Sequence, residues 1–135
     1  MTKAVFDVRV YYEDTDFSGN VYHAAYVKFM ERARTEFLRQ LGIHHSELVR
    51  DALYFVVRRL EVTYLAPAHI DDELVVVSRV KQLSGVRMVL EQSIFRVHDQ
   101  ITRGEVEVVL VGPDGKPKRL PTDIRLRMAR ADTHH

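Results

Sequence analysis

One stretch of the 135-residue chain carries an apolar stripe of helical period, and strand-like segments flank it on both sides. From about Val21 to Leu41, residues Tyr22, Tyr26, Phe29, Ala33, Phe37 and Leu41 recur at three- and four-residue spacing. That is the pattern of an amphipathic helix, with Arg32, Arg34, Glu36, Arg39 and Gln40 mostly off the stripe. Gly42 follows the last periodic residue and suits a left-handed C-terminal cap. A helix of this length, roughly 30 Å, crosses a small domain from end to end. Before it, residues 4–12 alternate, with Phe6, Val8, Val10 and Tyr12 on one face, as in a half-buried strand. After it come a short connection around His44 to Asp51 and four runs rich in Val, Ile, Tyr and Phe. These are Phe55 to Leu65, Glu73 to Leu83, Arg87 to His98 and Gly104 to Val111. Ala66-Pro67-Ala68, Ser84-Gly85 and Asp99-Gln100 separate them, and Gly112-Pro113-Asp114-Gly115 ends the last. Pro121 suits the start of a short C-terminal helix over 121–130. The order predicts an α+β fold in which an antiparallel five-stranded sheet wraps one central helix. The edges of such a sheet are naturally managed by pairing with a second copy.

Composition narrows the function. Apolar residues make up 46% and charged residues 29%, the balance of a globular protein with one core, so residues 1–135 read as a single domain. His134-His135 carry no weight, because a tag remnant reads the same way. A net charge of +1 gives no field for gripping nucleic acid. The absence of cysteine excludes disulfides, thiolate metal sites and a cysteine nucleophile. His44-His45, His69 and His98 lack ligand spacing, so no metal is expected. No Gly-rich phosphate loop is present. No apolar stretch is long enough for a signal peptide or a membrane span, and a cytoplasmic location is the expectation.

The chemistry-bearing stretch is Tyr12-Glu13-Asp14-Thr15-Asp16-Phe17-Ser18-Gly19-Asn20-Val21-Tyr22-His23. It puts carboxylates in a tight loop just before the long helix, where free backbone N–H groups and the positive end of the helix dipole gather. Such a terminus can hold an acyl oxygen as it becomes an oxyanion, beside a carboxylate that attacks the carbonyl or activates water. The same residue types also serve as ordinary turn and capping residues.

Arg9-Val10-Tyr11-Tyr12-Glu13-Asp14-Thr15-Asp16, Gly19, Val21-Tyr22-His23, Tyr26 and Glu31-Arg32-Ala33-Arg34-Thr35-Glu36 closely resemble the signature of hotdog-fold acyl-CoA thioesterases. The likeness is greatest to the Tol-Pal-associated branch of the 4-hydroxybenzoyl-CoA thioesterase family. It continues through Phe55-Val56-Val57-Arg58-Arg59, Tyr64-Leu65-Ala66-Pro67-Ala68, Asp71-Asp72 and, more faintly, Arg119-Leu120-Pro121. The resemblance implies a hotdog fold and hydrolysis of short- to medium-chain acyl-CoA to free acid and CoA. It matches Asp16 to the catalytic carboxylate, acting as nucleophile or general base. It matches His23 to the helix-start position whose backbone N–H faces the thioester oxygen. Phe17 and Asn20 differ from smaller residues in relatives and bear on chain length.

Tyr12 and Tyr22 are expected as core or pocket walls, and Tyr22 and Val57 as substrate contacts. Arg58, Arg59 and Arg87, with Lys81, are candidates for the CoA phosphates. Asp14 is expected to order the loop, and Glu31 to pair with an arginine of the same chain. CoA belongs to the substrate, so no separate cofactor is implied. The implied assembly is a homodimer or a dimer of dimers, a homotetramer, with an acyl carrier protein as a further partner. The competing readings are an acyl-thioester hydratase or dehydratase and a non-catalytic acyl-carrier or envelope-complex binding module.

Overall fold

The computed structural model describes residues 3–132, so the two terminal histidines lie outside it. β1 (Ala4–Arg9) leads through a one-turn 3-10 segment at Tyr12–Asp14 to α1 (His23–Gln40) and then α2 (His45–Arg50). β2 (Tyr54–Tyr64), β3 (Glu73–Leu83), β4 (Arg87–Arg96) and β5 (Asp99–Val111) follow, and α3 (Thr122–Asp132) ends the chain. The five strands form one sheet in the order β1-β3-β4-β5-β2, every neighbouring pair antiparallel. α1 packs across it, which is the sheet-around-one-helix arrangement that the resemblance implies. None of the described helices is long and apolar enough to cross a membrane.

α1 forms where the stripe predicts it. Ala25, Tyr26, Phe29, Met30, Ala33, Phe37 and Leu38 are its buried residues, and Phe29 and Phe37 are almost wholly inaccessible. Burying each such ring contributes about 1.5–3 kcal/mol. Gly42, at φ +77°, ends the helix. Ile43 N–H donates to the Leu38 carbonyl at 2.9 Å and Gly42 N–H to the Arg39 carbonyl at 2.9 Å, the paired bonds of a Schellman cap. Arg127 of α3 donates to the Gly42 carbonyl at 2.9 Å, while Ile124 and Met128 are buried.

The helix-facing side of the sheet is apolar, with Leu74, Val76, Leu90, Ile94, Val106 and Leu110 buried. Ser78, Gln92 and Thr102 are buried polar exceptions there, and the Gln92 amide is satisfied inside the protein. Its Nε2 donates to the Met30 carbonyl and to Ser78 Oγ, each at 2.9 Å, and its Oε1 accepts from Arg34 at 2.9 Å. On the outward side, Glu91, Glu105 and Glu61 face one another across β4, β5 and β2. Arg79 pairs with Glu91 at 2.9 Å, Lys81 with Glu105 at 2.7 Å and Arg59 with Glu61 at 3.0 Å.

The structure departs from the sequence-based expectation at several points. β1 stops at Arg9, and Tyr12 points into solvent at 81% exposure rather than into the core. Tyr22 is also half exposed on this chain. The connection after α1 contains α2, whose one buried residue, Leu48, leaves too little stripe to read. β5 begins at Asp99, five residues earlier than expected, because Gly104 is not a strand end. It marks where α1 presses on the sheet. A Cβ at Gly104 would lie 2.5 Å from Met30 Cε and 2.7 Å from the Gln92 carbonyl oxygen.

Gly104→Ala is therefore expected to destabilise the fold by about 1–3 kcal/mol, as overpacking does. Urea unfolding measures this, and a cost within error of zero would show that the helix–sheet contact yields freely.

Candidate active site

The loop before α1 is shaped by its own short-range bonds. Asp16 N–H donates to the Asn20 carbonyl at 2.9 Å and Gly19 N–H donates to the Asp16 carbonyl at 3.0 Å. Gly19, at φ +86°, takes the left-handed conformation that closes this turn. Asp14 orders the loop, as expected, because its Oδ2 accepts from Tyr11 N–H at 2.9 Å and its carbonyl from Tyr22 N–H at 2.8 Å.

Asp16 keeps one oxygen occupied and one open. Its Oδ1 accepts from Ser18 N–H at 2.8 Å and from the Ser18 hydroxyl. Oδ2 has no hydrogen-bond partner among the described residues. The hydroxyl bond first, and then the backbone bond, favour the charged form and hold the Asp16 carboxyl below the usual carboxylate range. Asp16 is therefore ionised at neutral pH.

The start of α1 is held against the turn after β2. Val21 N–H donates to the Ala68 carbonyl at 2.8 Å, and Ala68 N–H donates to the Tyr26 hydroxyl oxygen at 3.1 Å. The Tyr64 hydroxyl donates to the His23 carbonyl at 2.9 Å. No side chain caps the helix, and the His23 and Ala24 N–H groups have no acceptor among the described residues. Orphan donors at a helix start carry partial positive charge.

These pieces share one open cleft of about 410 Å³, lined by Asp16, Asn20, His23, Tyr26, Tyr64 and neighbouring residues of the 65–67 turn. Asp16 and His23, expected together, are together. The Tyr22 ring lies 4.4 Å from the His23 ring, beside the cleft. Tyr64 and Tyr26 are anchors that sequence reading did not assign. Tyr26 was absorbed into the helical stripe, and Tyr64 stood only as part of the Tyr64-Leu65-Ala66-Pro67-Ala68 likeness.

The remaining candidates lie elsewhere on the chain. Val57 faces a separate cavity that Glu31 and Arg34 also line. Arg58 and Arg87 both meet Glu107, at 3.4 and 3.0 Å, and Arg59 meets Glu61 and Glu105 at 3.0 and 3.9 Å. These cations occupy the outward side of the sheet and do not line the Asp16 cleft within one chain. β2 accounts for this, because Arg58 precedes Tyr64 by six residues, about 20 Å of strand. Glu31 is exposed and closes no ion pair among the described residues, but its charge acts on Arg34 of the same helix, the kind of partner expected.

The cleft presents an ionised carboxylate with a free oxygen beside unpaired N–H donors. That pairing can deliver a nucleophile to a carbonyl carbon and hold the oxygen on which negative charge develops.

Known proteins are similar in sequence and in fold. Residues 18–102 match the Thioesterase superfamily. The acyl-CoA thioester hydrolase YbgC of Shigella flexneri is 44% identical over 119 residues, covering 87% of this chain and 89% of that protein. The acyl-CoA thioesterase YbgC of Haemophilus influenzae is 40% identical over 122 residues, covering 89% and 90%. The crystal structure of a probable thioesterase from Bartonella henselae superposes with a TM-score of 0.86 at 42% identity, covering 89% of this chain and all of that one. The loop, the long helix and the wrapped sheet are thus those of a member of the Thioesterase superfamily, a thioester hydrolase with the hotdog fold.

Proposed function

We propose that this chain hydrolyses short- to medium-chain acyl-CoA in the cytoplasm, with Asp16 delivering the nucleophile and the start of α1 holding the thioester oxygen. One observation carries this reading: Asp16, with its free Oδ2, and His23, whose N–H has no acceptor among the described residues, line the same cleft. The thioester oxygen sits on that N–H, where charge on the tetrahedral intermediate is stabilised. Oxygen adds to the acyl carbon, either from Asp16 itself or from a water that Asp16 deprotonates. The C–S bond then breaks and sulfur leaves with the electron pair. Direct attack leaves an acyl–Asp16 anhydride that water hydrolyses to the free acid, whereas attack by water gives the acid at once. On either route the water supplies the proton that the thiolate takes up. The two routes differ in one product: only direct attack places solvent oxygen in the Asp16 carboxylate after turnover in labelled water. His23 adds an imidazole within reach of the bound carbonyl or the attacking water.

The functional assembly in this reading is a homodimer or a dimer of dimers. Support comes from β2, an outer strand with Tyr54, Val56, Val57 and Tyr64 each more than two-fifths exposed. An edge this long and apolar is a template for a second copy. Such pairing would bring Val57 and the β2 cations of one copy toward the cleft of another.

Asp16→Asn is expected to lower kcat/KM for acyl-CoA by at least about a hundredfold with folding unchanged. Thiol release from a panel of chain lengths measures this, and activity retained within a few-fold would remove Asp16 from the mechanism. Ser18→Ala takes away the donor that favours the ionised carboxyl, so the Asp16 pKa rises and the acid limb of the pH–kcat/KM profile moves to higher pH. An unmoved acid limb would show that Asp16 ionisation does not set it. Sedimentation is expected to give a mass of at least two chains, and a fully active monomer would sink the paired assembly.

A further inference from the structure

Two tyrosines line the Asp16 cleft, and their hydroxyls are used differently. Tyr64 donates its proton to the His23 carbonyl at 2.9 Å. Tyr26 only accepts: Ala68 N–H donates to its oxygen at 3.1 Å, and its own proton has no acceptor among the described residues. Yet Tyr26 is 3% exposed, so bulk water does not serve that proton. Buried hydroxyls usually find a partner, because a donor left unmet is unfavourable by about 1–3 kcal/mol. The Thr102 hydroxyl is also unmet, but Thr102 is not part of the cleft. Tyr26 is the buried group of the cleft with a donor to offer.

The fold fixes where that donor sits. Side chains of an α-helix lean toward its N-terminus, so the Tyr26 ring covers the first turn of α1, which opens with the His23 N–H. Its bond to Ala68 agrees, since the Ala68 carbonyl accepts from Val21 N–H at 2.8 Å just ahead of the helix. Phe29 meets the ring edge-on and Tyr64 at a tilt, their centroids 6.2 and 5.7 Å away. The turn that holds the oxygen is itself braced. Leu65 N–H and Ala66 N–H donate to the Ile101 carbonyl at 2.9 and 3.2 Å, and Arg96 donates to the Pro67 carbonyl at 3.1 Å and to Asp72 at 2.8 Å. Ala68 N–H occupies one side of the Tyr26 oxygen, and the hydroxyl proton turns to the other. Burial, the largest influence, raises the Tyr26 pKa, with the Ala68 bond and Arg96 opposing it less strongly. The hydroxyl therefore keeps its proton well above neutral pH.

We propose that Tyr26 is a further catalytic residue, whose hydroxyl donates to the thioester oxygen bound beside the His23 N–H. The inference rests on the hydrolysis at Asp16 proposed above and adds a side-chain donor to it. As oxygen from Asp16 or from water adds to the acyl carbon, the C=O electron pair moves onto that oxygen. The hydrogen bond tightens as this charge grows, and it relaxes when the C=O re-forms and sulfur departs. The proton stays on Tyr26 throughout. A hydroxyl already withdrawn from water and fixed by Ala68 needs no reorganisation to act in this way.

Tyr26→Phe removes the donor. It is expected to lower kcat for acyl-CoA hydrolysis at least about tenfold with KM within a few-fold, as loss of one hydrogen bond to a charged oxygen does. The same variant takes the acceptor from Ala68 N–H, so a second form separates the two roles and decides the matter if Tyr26→Phe does not fold. Trifluorotyrosine incorporated at position 26 keeps the ring and the oxygen but lowers the hydroxyl pKa. Its phenolate still accepts from Ala68 and no longer donates. Activity that needs the protonated hydroxyl is lost as pH rises through its pKa, so the alkaline limb of the pH–kcat profile is expected to move to lower pH. A tyrosine that only anchors the turn leaves that limb where the wild type has it. Asp16→Asn, assayed alongside, reads the reaction itself. Full kcat in folded Tyr26→Phe, or an unmoved alkaline limb in the fluorinated enzyme, overturns the donor alone when Asp16→Asn is inactive. Activity retained by Asp16→Asn overturns the reaction and the donor with it.

Discussion

Gln92 has no contact with solvent, so every hydrogen bond its amide can make must come from the protein. It finds them at three residues on two other elements: the Met30 carbonyl and Arg34 on α1, and Ser78 on β3. The bond to a main-chain carbonyl matters most, because it fixes the helix in rotation and in height above the sheet. An apolar stripe alone tolerates a slide of the helix at small cost. A buried amide does not, since each lost bond would leave a polar atom stranded. Gly104 completes the constraint from the neighbouring strand, bringing the Met30 side chain to the backbone of the sheet.

With α1 fixed at its middle, its two ends are fixed as well, and they are finished differently. The C-terminal end is closed by Gly42, the Schellman bonds and Arg127. The N-terminal end is positioned by Tyr64 and by the 66–68 turn but is not capped. Each contact there reaches a carbonyl or a residue deeper in the helix and leaves the first donors free. The asymmetry separates a structural terminus from a chemical one.

The long helix, the order of elements along the chain and the placing of Asp16 beside His23 are all legible in the sequence. Each is carried by a local period or a contiguous motif. α2 was not, because six residues with one buried position make no stripe. β5 was misjudged at Gly104, where a glycine that reads as a boundary meets a helix 74 residues earlier in the chain. The Tyr64–His23 bond spans 41 residues and joins a side chain to a backbone carbonyl, which leaves no local trace. Arg34 lies off the stripe, and its bond to Gln92 spans 58 residues, so no local pattern marks it. Arg58, Arg59 and Arg87 read as available charge, and only strand register reveals Glu105 and Glu107 beside them.

The row of Glu91, Glu105 and Glu61 gives those cations another meaning. Like charges directly opposite one another weaken a sheet. Here three carboxylates stand in line across strands β4, β5 and β2 and stay there because Arg79, Lys81 and Arg59 are threaded between them. The attraction holds in one alignment of the strands. Sliding a strand by two residues keeps its apolar face inward but separates the carboxylates from their counter-charges. Hydrophobic alternation chooses which side of each strand faces the helix, and this ionic lattice chooses among the alignments that alternation leaves equal.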